Sequence, residues 1–266
     1  MAFIYETHLH TAQGSACGKA PGRDYIAKYK DLGYAGIMVT DHFFHGNCLP
    51  DRSLPWQEWV NAYCRGYEDA LEEGEKQGLQ VFFGLEERFE WDEWLIYGLD
   101  KQYLLAHPDM RKWSRGDYLR HVREAGGCVI QCHPFRQAAY MGSGGISLCQ
   151  GVDGVEVCNA GNKPEWDALA ARYAGTLGPV FRSAGSDIHW PDHRLGENVF
   201  GVVFDHRLGS VQDYVQAVLQ NAPHGLHIPA GRDRPCEAAP RDFGRSVTVY
   251  GRQGERTGLG LADVLR

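Results

Sequence analysis

Two histidines separated by one residue, His8 and His10, are the first residues of this chain whose types and spacing point to chemistry. Side chains two positions apart on a β-strand lie on the same face, so the two imidazoles can bind one divalent ion together. The pattern is weak by itself, because 12 histidines in 266 residues produce about half an instance of it by chance. Its meaning depends on what the rest of the chain places beside it.

Further residues of metal-binding type follow the other predicted strands. Short apolar runs alternate with amphipathic stretches and predict strands over residues 3–5, 36–40, 79–84, 128–132, 155–158, 180–184 and 199–204. The residues that follow the first six strands include His8, His10, Asp41, His42, Glu86, His133, Asn159, Asp187 and His189. The carboxyl ends of parallel strands converge on one face of a barrel, so we expect these side chains to meet there.

The types of these residues define a ligand class. Five imidazoles, one glutamate and one aspartate form a mixed nitrogen and oxygen set, which suits Zn²⁺, Mn²⁺ or Fe²⁺.

Between the strands, amphipathic helices are predicted over 25–32, 56–71, 118–125, 166–173 and 211–219. The Trp and Tyr residues of these helices are interpreted as core contacts and not as a cofactor-binding surface.

Length and composition predict one large soluble domain. The 43% apolar and 23% charged residues are ordinary for a globular protein, and no apolar run is long enough to cross a bilayer. We expect a barrel domain over residues 1–230. The turn-rich segment 231–266 is interpreted as a C-terminal extension and not as a separate domain. The first residues do not resemble a secretory signal, so a cytoplasmic location is expected.

The cysteines and the net charge limit the classes of binding partner that are expected. Several of the eight cysteines fall in apolar runs, which favours reduced thiols, and no Cys-x-x-Cys pair is present. The net charge of −7 without a dense basic run disfavours broad nucleic-acid binding, although a nucleic acid stays an open alternative. A small-molecule substrate and no membrane partner are expected. The sequence predicts no oligomeric state.

Five segments resemble, in order, the motifs of the polymerase and histidinol phosphatase (PHP) family. They are THLHT at 7–11, VTDH at 39–42, GLE at 84–86, HPFR at 133–136 and GSDIH at 185–189. The resemblance covers about residues 6–204 and implies an α/β fold, a distorted TIM-like barrel of seven β-α units. It also implies up to three metal ions in a cleft at the carboxyl ends of the strands.

The resemblance implies a ligand set for each metal. The first metal would be held by His8, His10, Glu86 and Asp187. Glu86 would bridge to a second metal held by His133. The third metal would be held by His42 and His189.

The chain departs from the family pattern in two places. Many members have a His or Asp five or six residues after the second His of the first motif, where this chain has Ser15 and Ala16. Cys17 comes next and is either a substitute thiolate ligand or a plain buried thiol. Members also commonly have a His before the His-Pro motif, where this chain has the apolar run 94–98. His107 lies nearby as either a ligand or a surface histidine, so the metal count stays open between two and three.

This ligand set favours phosphate ester hydrolysis. A hydroxide held between two metal ions is a strong nucleophile near neutral pH, because the cations lower the pKa of water from about 15.7 to about 7. Glu86 and Asp187 are the carboxylates expected to serve the reaction. Arg136 and Arg194 flank ligand motifs and are predicted to clamp phosphate oxygens, since a guanidinium does so bidentately.

Other polar residues are assigned to supporting roles. Asp41 is predicted to orient His42 or a neighbouring ligand. Asn159 either bonds to substrate or a ligand, or only terminates its strand. His193 is a candidate substrate contact because it follows the Asp187 motif by a short loop.

The sequence therefore predicts a metal-dependent phosphoesterase, a phosphatase acting on a small phosphorylated metabolite. Two alternatives are a nuclease or nucleotide phosphodiesterase on the same metals, and a non-catalytic metal-binding regulatory module. Barrel hydrolases of the amidohydrolase type share the His-x-His pattern, but their bridging lysine has no clear counterpart here, and Glu86 fits the bridging role instead. The substrate and the general acid are not encoded in any motif.

Overall fold

The computed structural model describes residues 2–137, 140, 145–191, 200–229 and 246–265. Eleven strands and eight α-helices lie in this part of the chain. The strands are β1 (Phe3–Leu9), β2 (Gly36–Val39), β3 (Gln80–Phe89), β4 (Asp92–Tyr97), β5 (Cys128–Cys132), β6 (Ile146–Cys149), β7 (Gly154–Asn159), β8 (Phe181–Gly185), β9 (Gly201–Phe204), β10 (Gly225–His227) and β11 (Val247–Tyr250). The helices are α1 (Ile26–Asp31), α2 (Trp56–Tyr63), α3 (Arg65–Gln77), α4 (Lys101–Ala106), α5 (Arg115–Glu124), α6 (Pro164–Thr176), α7 (Val211–Leu219) and α8 (Leu261–Val264).

Local sequence signals fix several helix ends. Ser114 and Asp117 form a capping box at the start of α5, in which each side chain accepts a hydrogen bond from the other residue's backbone N–H. Asp100 caps α4 by accepting a bond from Tyr103 N at 2.7 Å. Helix α3 ends at Gly78, whose φ of 79° favours glycine. These signals set where the connections between strands begin and end.

Nine strands form one sheet in the order β10-β9-β1-β2-β3-β4-β5-β7-β8. Strands β1, β2 and β3 run parallel, and so do β5, β7 and β8. Strand β4 is antiparallel to both β3 and β5, so the two parallel groups share one direction. Their carboxyl ends therefore lie on the same side of the sheet.

The sheet closes on itself where β8 meets β1. Leu9 and Ile188 form an isolated parallel bridge, and His10 N donates to Ile188 O at 2.9 Å. Nearby, Thr7 Oγ1 donates to Ala184 O at 2.9 Å. Strands β9 and β10 continue the sheet on the other side of β1. This nearly closed α/β barrel confirms the predicted fold class.

The barrel departs from seven regular β-α units in two strands. Strand β9, predicted as the last strand of the series, runs antiparallel to β1. Strand β4 was not predicted, and it follows β3 through a tight turn at Glu90, which has a φ of 48°. A turn this short returns the chain antiparallel without a crossover helix. The helix predicted over 56–71 is two helices, α2 and α3, which separate at Cys64.

Aromatic side chains fill the space between the sheet and its helices. Trp59 and Tyr63 are buried in the largest apolar cluster, and their rings stack at a centroid distance of 5.2 Å. This confirms the interpretation of the helical Trp and Tyr residues as core.

None of the described cysteines forms a disulfide. In the same part of the chain, no helix has the length and apolar character needed to span a membrane.

The C-terminal residues return to the barrel's core. Strand β11 pairs in parallel with β6 to form a second, two-stranded sheet. Val249 and Val264 are buried in the same apolar cluster as the barrel helices. The domain boundary at residue 230 stays a prediction, because 230–245 lie outside the described residues.

A glycine-to-alanine pair tests how closely α3 packs on the loop after β1. A Cβ at Gly66 would overlap the Thr11 hydroxyl and lie 2.9 Å from Asp41 Oδ2, whereas one at Gly175 in α6 would meet only Arg182 Nη2, at 3.7 Å. Gly66→Ala should lower the free energy of unfolding by about 1–3 kcal/mol through overpacking. Gly175→Ala should raise it by up to about 1 kcal/mol through helix propensity. Urea denaturation measures both changes, and a stabilising Gly66→Ala would contradict this packing.

Candidate metal centre

The barrel brings seven of the candidate side chains to one place, at the carboxyl ends of its parallel strands. His8 lies near the end of β1 and His10 follows that strand, while His42 follows β2 and His133 follows β5. Glu86 lies inside β3, which is longer than predicted and continues to Phe89. The remaining two, Asp187 and His189, follow β8.

Four sets of potential ligand atoms overlap in this place, and within each set the atoms lie within 4.8 Å of one another. The sets are His8 with Glu86 and His133, His8 with His10 and Asp187, His42 with Glu86 and Glu93, and His10 with His42 and His189. Because four of the eight members belong to two sets, the sets adjoin one another. Such sharing is the arrangement that adjacent metal ions require.

Glu86 stands at the centre of the cluster. Its Oε1 lies 3.2 Å from His133 Nε2 and 3.5 Å from His8 Nε2. Its Oε2 lies 2.7 Å from His42 Nδ1 and 3.3 Å from His10 Nε2. Each carboxylate oxygen therefore faces two imidazoles, which is the geometry expected of a carboxylate that bridges two ions.

Asp187 faces two of the imidazoles that Glu86 faces. Its Oδ1 lies 3.1 Å from His10 Nε2 and 3.6 Å from His8 Nε2. Both Asp187 and His133 have left-handed backbone conformations, with φ values of 52° and 29°. Such conformations cost about 1–3 kcal/mol each in non-glycine residues and are concentrated at functional sites.

Hydrogen bonds behind His8 and His10 fix which nitrogen of each ring faces the cluster. His8 Nδ1 lies 3.1 Å from Glu156 Oε1, so it is the protonated nitrogen that donates to this carboxylate. His10 Nδ1 lies 3.1 Å from Ser15 Oγ, which itself donates to Asp41 Oδ1 at 2.6 Å. Both Nε2 atoms therefore carry lone pairs, as metal-ligating histidines with such partners do.

The buried atoms that face one another in the cluster lack hydrogen-bond partners. They are His8 Nε2, His10 Nε2, His42 Nδ1, Glu86 Oε2 and Glu93 Oε2. Nitrogen lone pairs that face carboxylate oxygens repel them, and a buried polar atom without a partner costs about 1–3 kcal/mol. Divalent cations between these atoms would remove both penalties. The residues present therefore fit a group of divalent metal ions.

The electrostatics of the two inner carboxylates favour cations. Burial raises the pKa of Glu86, but the imidazoles of His42 and His8 lower it well below its usual range. Burial likewise raises the pKa of Asp187, whereas His8 and Arg136 lower it well below its usual range. Both carboxyls are thus ionised near neutral pH, and a bound dication would replace the imidazole protons as their positive partner.

Asp41 supports the cluster from behind. It accepts hydrogen bonds from Thr11 N at 2.7 Å and from Thr11 Oγ1 at 2.6 Å, besides the bond from Ser15. Ser15 Oγ in turn accepts a bond from His42 N at 2.9 Å. Burial raises the pKa of Asp41 to about 6, although these hydrogen bonds lower it. Asp41 thus reaches His42 and His10 through the Ser15 hydroxyl.

Arg136 is committed largely to neighbouring protein groups. Its Nη1 donates to Asp187 Oδ2 at 2.5 Å and to Tyr140 Oη at 3.2 Å. Its Nη2 donates to Asn159 Oδ1 at 2.5 Å, and its Nε donates to Asn162 Oδ1 at 2.9 Å. Four of its five N–H groups are used in this way. The guanidinium therefore orients Asp187 and has little capacity left for the phosphate clamp predicted from sequence.

Asn159 links this arginine to the support of His8. Its Nδ2 donates to Glu156 Oε2 at 2.8 Å. The same carboxylate oxygen accepts a bond from His133 N at 2.9 Å. Glu156 therefore connects two candidate ligands, His8 and His133, and Asn159 ties it to Arg136. Sequence analysis missed Glu156 because it lies inside β7 and not after it.

Glu93 is the second residue that sequence analysis missed. It lies on β4, opposite Arg88 of β3 and Cys132 of β5. Its Oε2 is 3.7 Å from His133 Nε2. Because β4 runs antiparallel, its amino end lies beside the carboxyl ends of its neighbours. The sequence showed no ligand in the region around Trp94, but Glu93, the residue just before it, supplies a carboxylate there.

The remaining candidates lie at the edge of the cluster or away from it. Cys17 lies beside His189, with its Sγ 3.1 Å from His189 Nε2. Burial raises the pKa of this thiol, but hydrogen bonds with His189 and His42 lower it to about 6. His107 belongs to none of the ligand sets among the described residues and stacks on Tyr103 at 3.9 Å. His193 and Arg194 lie outside the described residues.

The cluster opens into a cleft of about 470 Å³, which is within the usual range for small-molecule sites. The cleft is lined by Cys17, His42, Gly46, Asn47, Glu86, Arg88, Glu93, His133, Arg136, Tyr140, Asp187 and His189. Metal-ligand types form its floor, and Arg88, Arg136 and Tyr140 complete the lining. A polar ligand of modest size can thus reach the candidate metal positions.

No protein-family model matches the sequence, and no curated protein does either. Solved structures nevertheless share its fold. A two-domain protein from Bacteroides vulgatus, described as containing a predicted PHP-like metal-dependent phosphoesterase, matches with a TM-score of 0.60 and 16% identity. The match covers 86% of this chain and 65% of that one. The present chain therefore spans about two thirds of the length of that protein.

Two further structures match over most of both chains. A protein from Bifidobacterium adolescentis, provisionally described as a metal-dependent phosphoesterase, has a TM-score of 0.50 and 17% identity, with 82% of this chain and 96% of that chain covered. An amidohydrolase from Chromobacterium violaceum has a TM-score of 0.45 and 15% identity, with 86% and 99% covered. The first two structures show that this chain has the barrel fold of PHP-like metal-dependent phosphoesterases.

Replacing Glu156 tests whether the support behind His8 matters for metal affinity. Glu156→Gln keeps the shape of the side chain but removes its charge and one acceptor, so His8 and the His133 backbone lose a common anchor. We expect the affinity for Mn²⁺ or Zn²⁺ to fall about 10- to 100-fold, as for other partners of metal-ligating histidines. Calorimetric titration of the metal-free protein measures this.

Asp153→Asn is the matched control for that substitution. Asp153 Oδ2 also accepts a backbone hydrogen bond, from Val129 N at 2.9 Å, but at the amino end of β5. Its replacement should change stability and leave metal affinity unaltered. Equal losses of affinity in both variants would show that the effect of Glu156 is a general loss of folding.

Proposed function

We propose that this protein is a metal-dependent phosphoesterase, specifically a phosphatase that hydrolyses a small phosphorylated metabolite. The observation that carries the proposal is the group of buried imidazole and carboxylate atoms around Glu86, which face one another without hydrogen-bond partners. That group lies at the floor of an open cleft whose lining includes arginine. The shared fold with PHP-like phosphoesterases supports the same reading.

In this proposal the seven clustered residues hold the metal ions. One ion would be held by His8, His10, Glu86 and Asp187, a second by Glu86 and His133, and a third by His42 and His189. When bound, such ions supply Lewis-acid stabilisation of a phosphoryl oxygen and make water more acidic. Glu93 is close enough to His133 and Glu86 to join the second group.

Arg88 is the side chain best placed to bind the substrate phosphate. It lines the cleft opposite Glu93. Its guanidinium donates to Tyr140 O at 3.1 Å and lies 5.9 Å from the Tyr140 ring. Among the described residues it forms no ion pair with a carboxylate, unlike Arg136, which pairs with Asp187. A guanidinium with free donors is suited to a phosphate dianion.

The cleft favours a small monoester over the alternatives. Only two arginines and no lysine are among its described lining residues, whereas nucleic-acid grooves combine many basic groups with stacked aromatic rings. The absence of lysine from that lining also fits poorly with the carboxylated-lysine bridge of amidohydrolases. Glu86 occupies the position between the imidazoles where such a bridge would lie.

Hydrolysis and metal content of a Glu86 variant test the proposal. The wild-type protein should bind at least one divalent ion per chain and hydrolyse phosphomonoesters in a panel of monoesters and diesters with Mn²⁺ or Zn²⁺. Glu86→Gln should lower kcat/KM by more than about 100-fold, because it removes the charge shared by four imidazoles and even outer partners are worth about 10- to 100-fold. Elemental analysis and product release are the two measurements.

The control for this experiment is Glu90→Gln, at an exposed position of the turn between β3 and β4. It should keep full metal content and activity. Less than one ion per chain in the wild type, together with unchanged hydrolysis in Glu86→Gln, would rule the proposal out. Hydrolysis restricted to diesters would instead favour the nuclease or phosphodiesterase alternative.

Arg88 variants separate phosphate binding from the chemical step. Arg88→Met should lower kcat/KM for a phosphomonoester about 10- to 100-fold, mainly through KM, since a hydrogen bond to a charged group is worth about 1.5–3 kcal/mol. Arg88→Lys should recover part of the loss. Arg120→Met, at an exposed position of α5, should have no effect. An unchanged KM in Arg88→Met would remove this residue from the proposed phosphate site.

A further inference from the structure

We infer that Cys17 supplies a thiolate ligand to the third metal site, which makes that site selective for thiophilic divalent ions such as Zn²⁺. This inference rests on the proposed metal-dependent function and specifies one of its sites. The site would consist of His42, His189 and Cys17, next to His10. It would differ in donor type from the sites around Glu86.

The geometry places the thiol against the imidazoles of this site. Cys17 Sγ lies 3.1 Å from His189 Nε2, and Cys17 lines the same cleft as His42. The ring of His10 stacks between its neighbours, with centroids 4.4 Å from His42 and 4.5 Å from His189. Ligand atoms of the three histidines lie within 4.8 Å of one another. An ion held by His42 and His189 would therefore have the sulfur within reach.

A second observation indicates that this region suits a cation. The side chains of His10 and His42 are buried, and one ring nitrogen of each has no hydrogen-bond partner. Neutral imidazole nitrogens at these distances can share one cation, whereas protons on all three rings would repel one another. Glu86 Oε2 already lies 2.7 Å from His42 Nδ1 and 3.3 Å from His10 Nε2. The thiol of Cys17 would add an anionic donor on the side of His189.

The backbone around Cys17 holds the thiol in this position. Ala16 N donates to Asn47 O at 2.9 Å, and Lys19 N donates to His189 O at 2.8 Å. Gly18 N donates to Ser15 O at 3.1 Å. These bonds fix the residues on both sides of Cys17, one of them directly to His189. The loop therefore presents the sulfur to the cluster, and Ser15 is left to support His10.

The donor type determines which ions the site prefers. A site with two imidazoles and one thiolate favours Zn²⁺ and other soft ions, whereas carboxylate-rich sites accept Mn²⁺ and Mg²⁺. All four sets of ligand atoms contain only nitrogen and oxygen donors, and Cys17 would add sulfur to the set of His10, His42 and His189. On binding, the metal–sulfur bond forms as the thiol S–H bond breaks, and the proton passes to solvent. The cleft would thus combine two classes of metal site.

Cobalt titration of the metal-free protein tests the inference, because a thiolate bound to Co²⁺ gives a near-ultraviolet charge-transfer band. The wild type should show this band and bind three ions. Cys17→Ser should lose the band and bind the third ion at least about tenfold more weakly, since even outer partners of ligands cost that much. Cys17→Asp should keep three ions without the band, with its third site shifted towards Mn²⁺.

Cys158→Ser is the control, since Cys158 is another half-buried cysteine, on β7. It should keep the band. A band that persists in Cys17→Ser, or a wild type that shows no band at saturating Co²⁺, would overturn the inference. The band is read without substrate. A wild type that shows it but hydrolyses no phosphoester would disprove the proposed function while leaving the thiolate site in place.

Discussion

A buried, ionised carboxylate at the centre of a ring of imidazoles is the constraint on which the rest of this molecule depends. Glu86 is 1% exposed, and its two oxygens face His8, His10, His42 and His133. A buried charge without compensation costs several kcal/mol. With Asp187 and Glu93 nearby, the imidazoles can offset this cost only if they are protonated or share cations with the carboxylates. The unpaired Nε2 atoms of His8 and His10 favour shared cations.

The walls of the barrel serve this arrangement by holding each ligand from behind. Glu156 anchors His8 and the backbone of His133, and Ser15 with Asp41 anchors His10 and His42. The packing leaves no room for variation at Gly185, where a Cβ would lie 2.5 Å from His8 Cβ and 2.6 Å from Glu156 Oε1. The closure of β8 on β1 therefore sets the positions of the candidate metal ligands. Rigid support of this kind keeps the side chains of a site with several ligands in the required geometry.

The two arginines of the cleft have different surroundings, and the phosphate-binding role that the sequence suggested for Arg136 fits Arg88 better. The guanidinium of Arg136 donates hydrogen bonds to Asp187, Asn159 and Asn162. It offsets part of the negative charge of the floor without occupying the space for substrate. Arg88 has no carboxylate partner among the described residues and lines the open part of the cleft. Positive charge is thus available both to the protein and to an anionic ligand.

The sequence by itself determined the α/β class of the fold, seven of the eleven described strands and the seven residues that meet at the site. It could do so because the alternation of apolar and polar residues is a local property, and parallel strands bring their carboxyl ends together. The tertiary structure alone decided that Glu93 joins from an antiparallel strand, whose amino end lies at the site. It also decided that Glu156 supports His8 from within β7 and that Arg136 is already paired. These outcomes depend on the order of the strands in the sheet. A buried charged group also needs an ion pair or hydrogen bonds, and no local sequence pattern specifies which residue provides them.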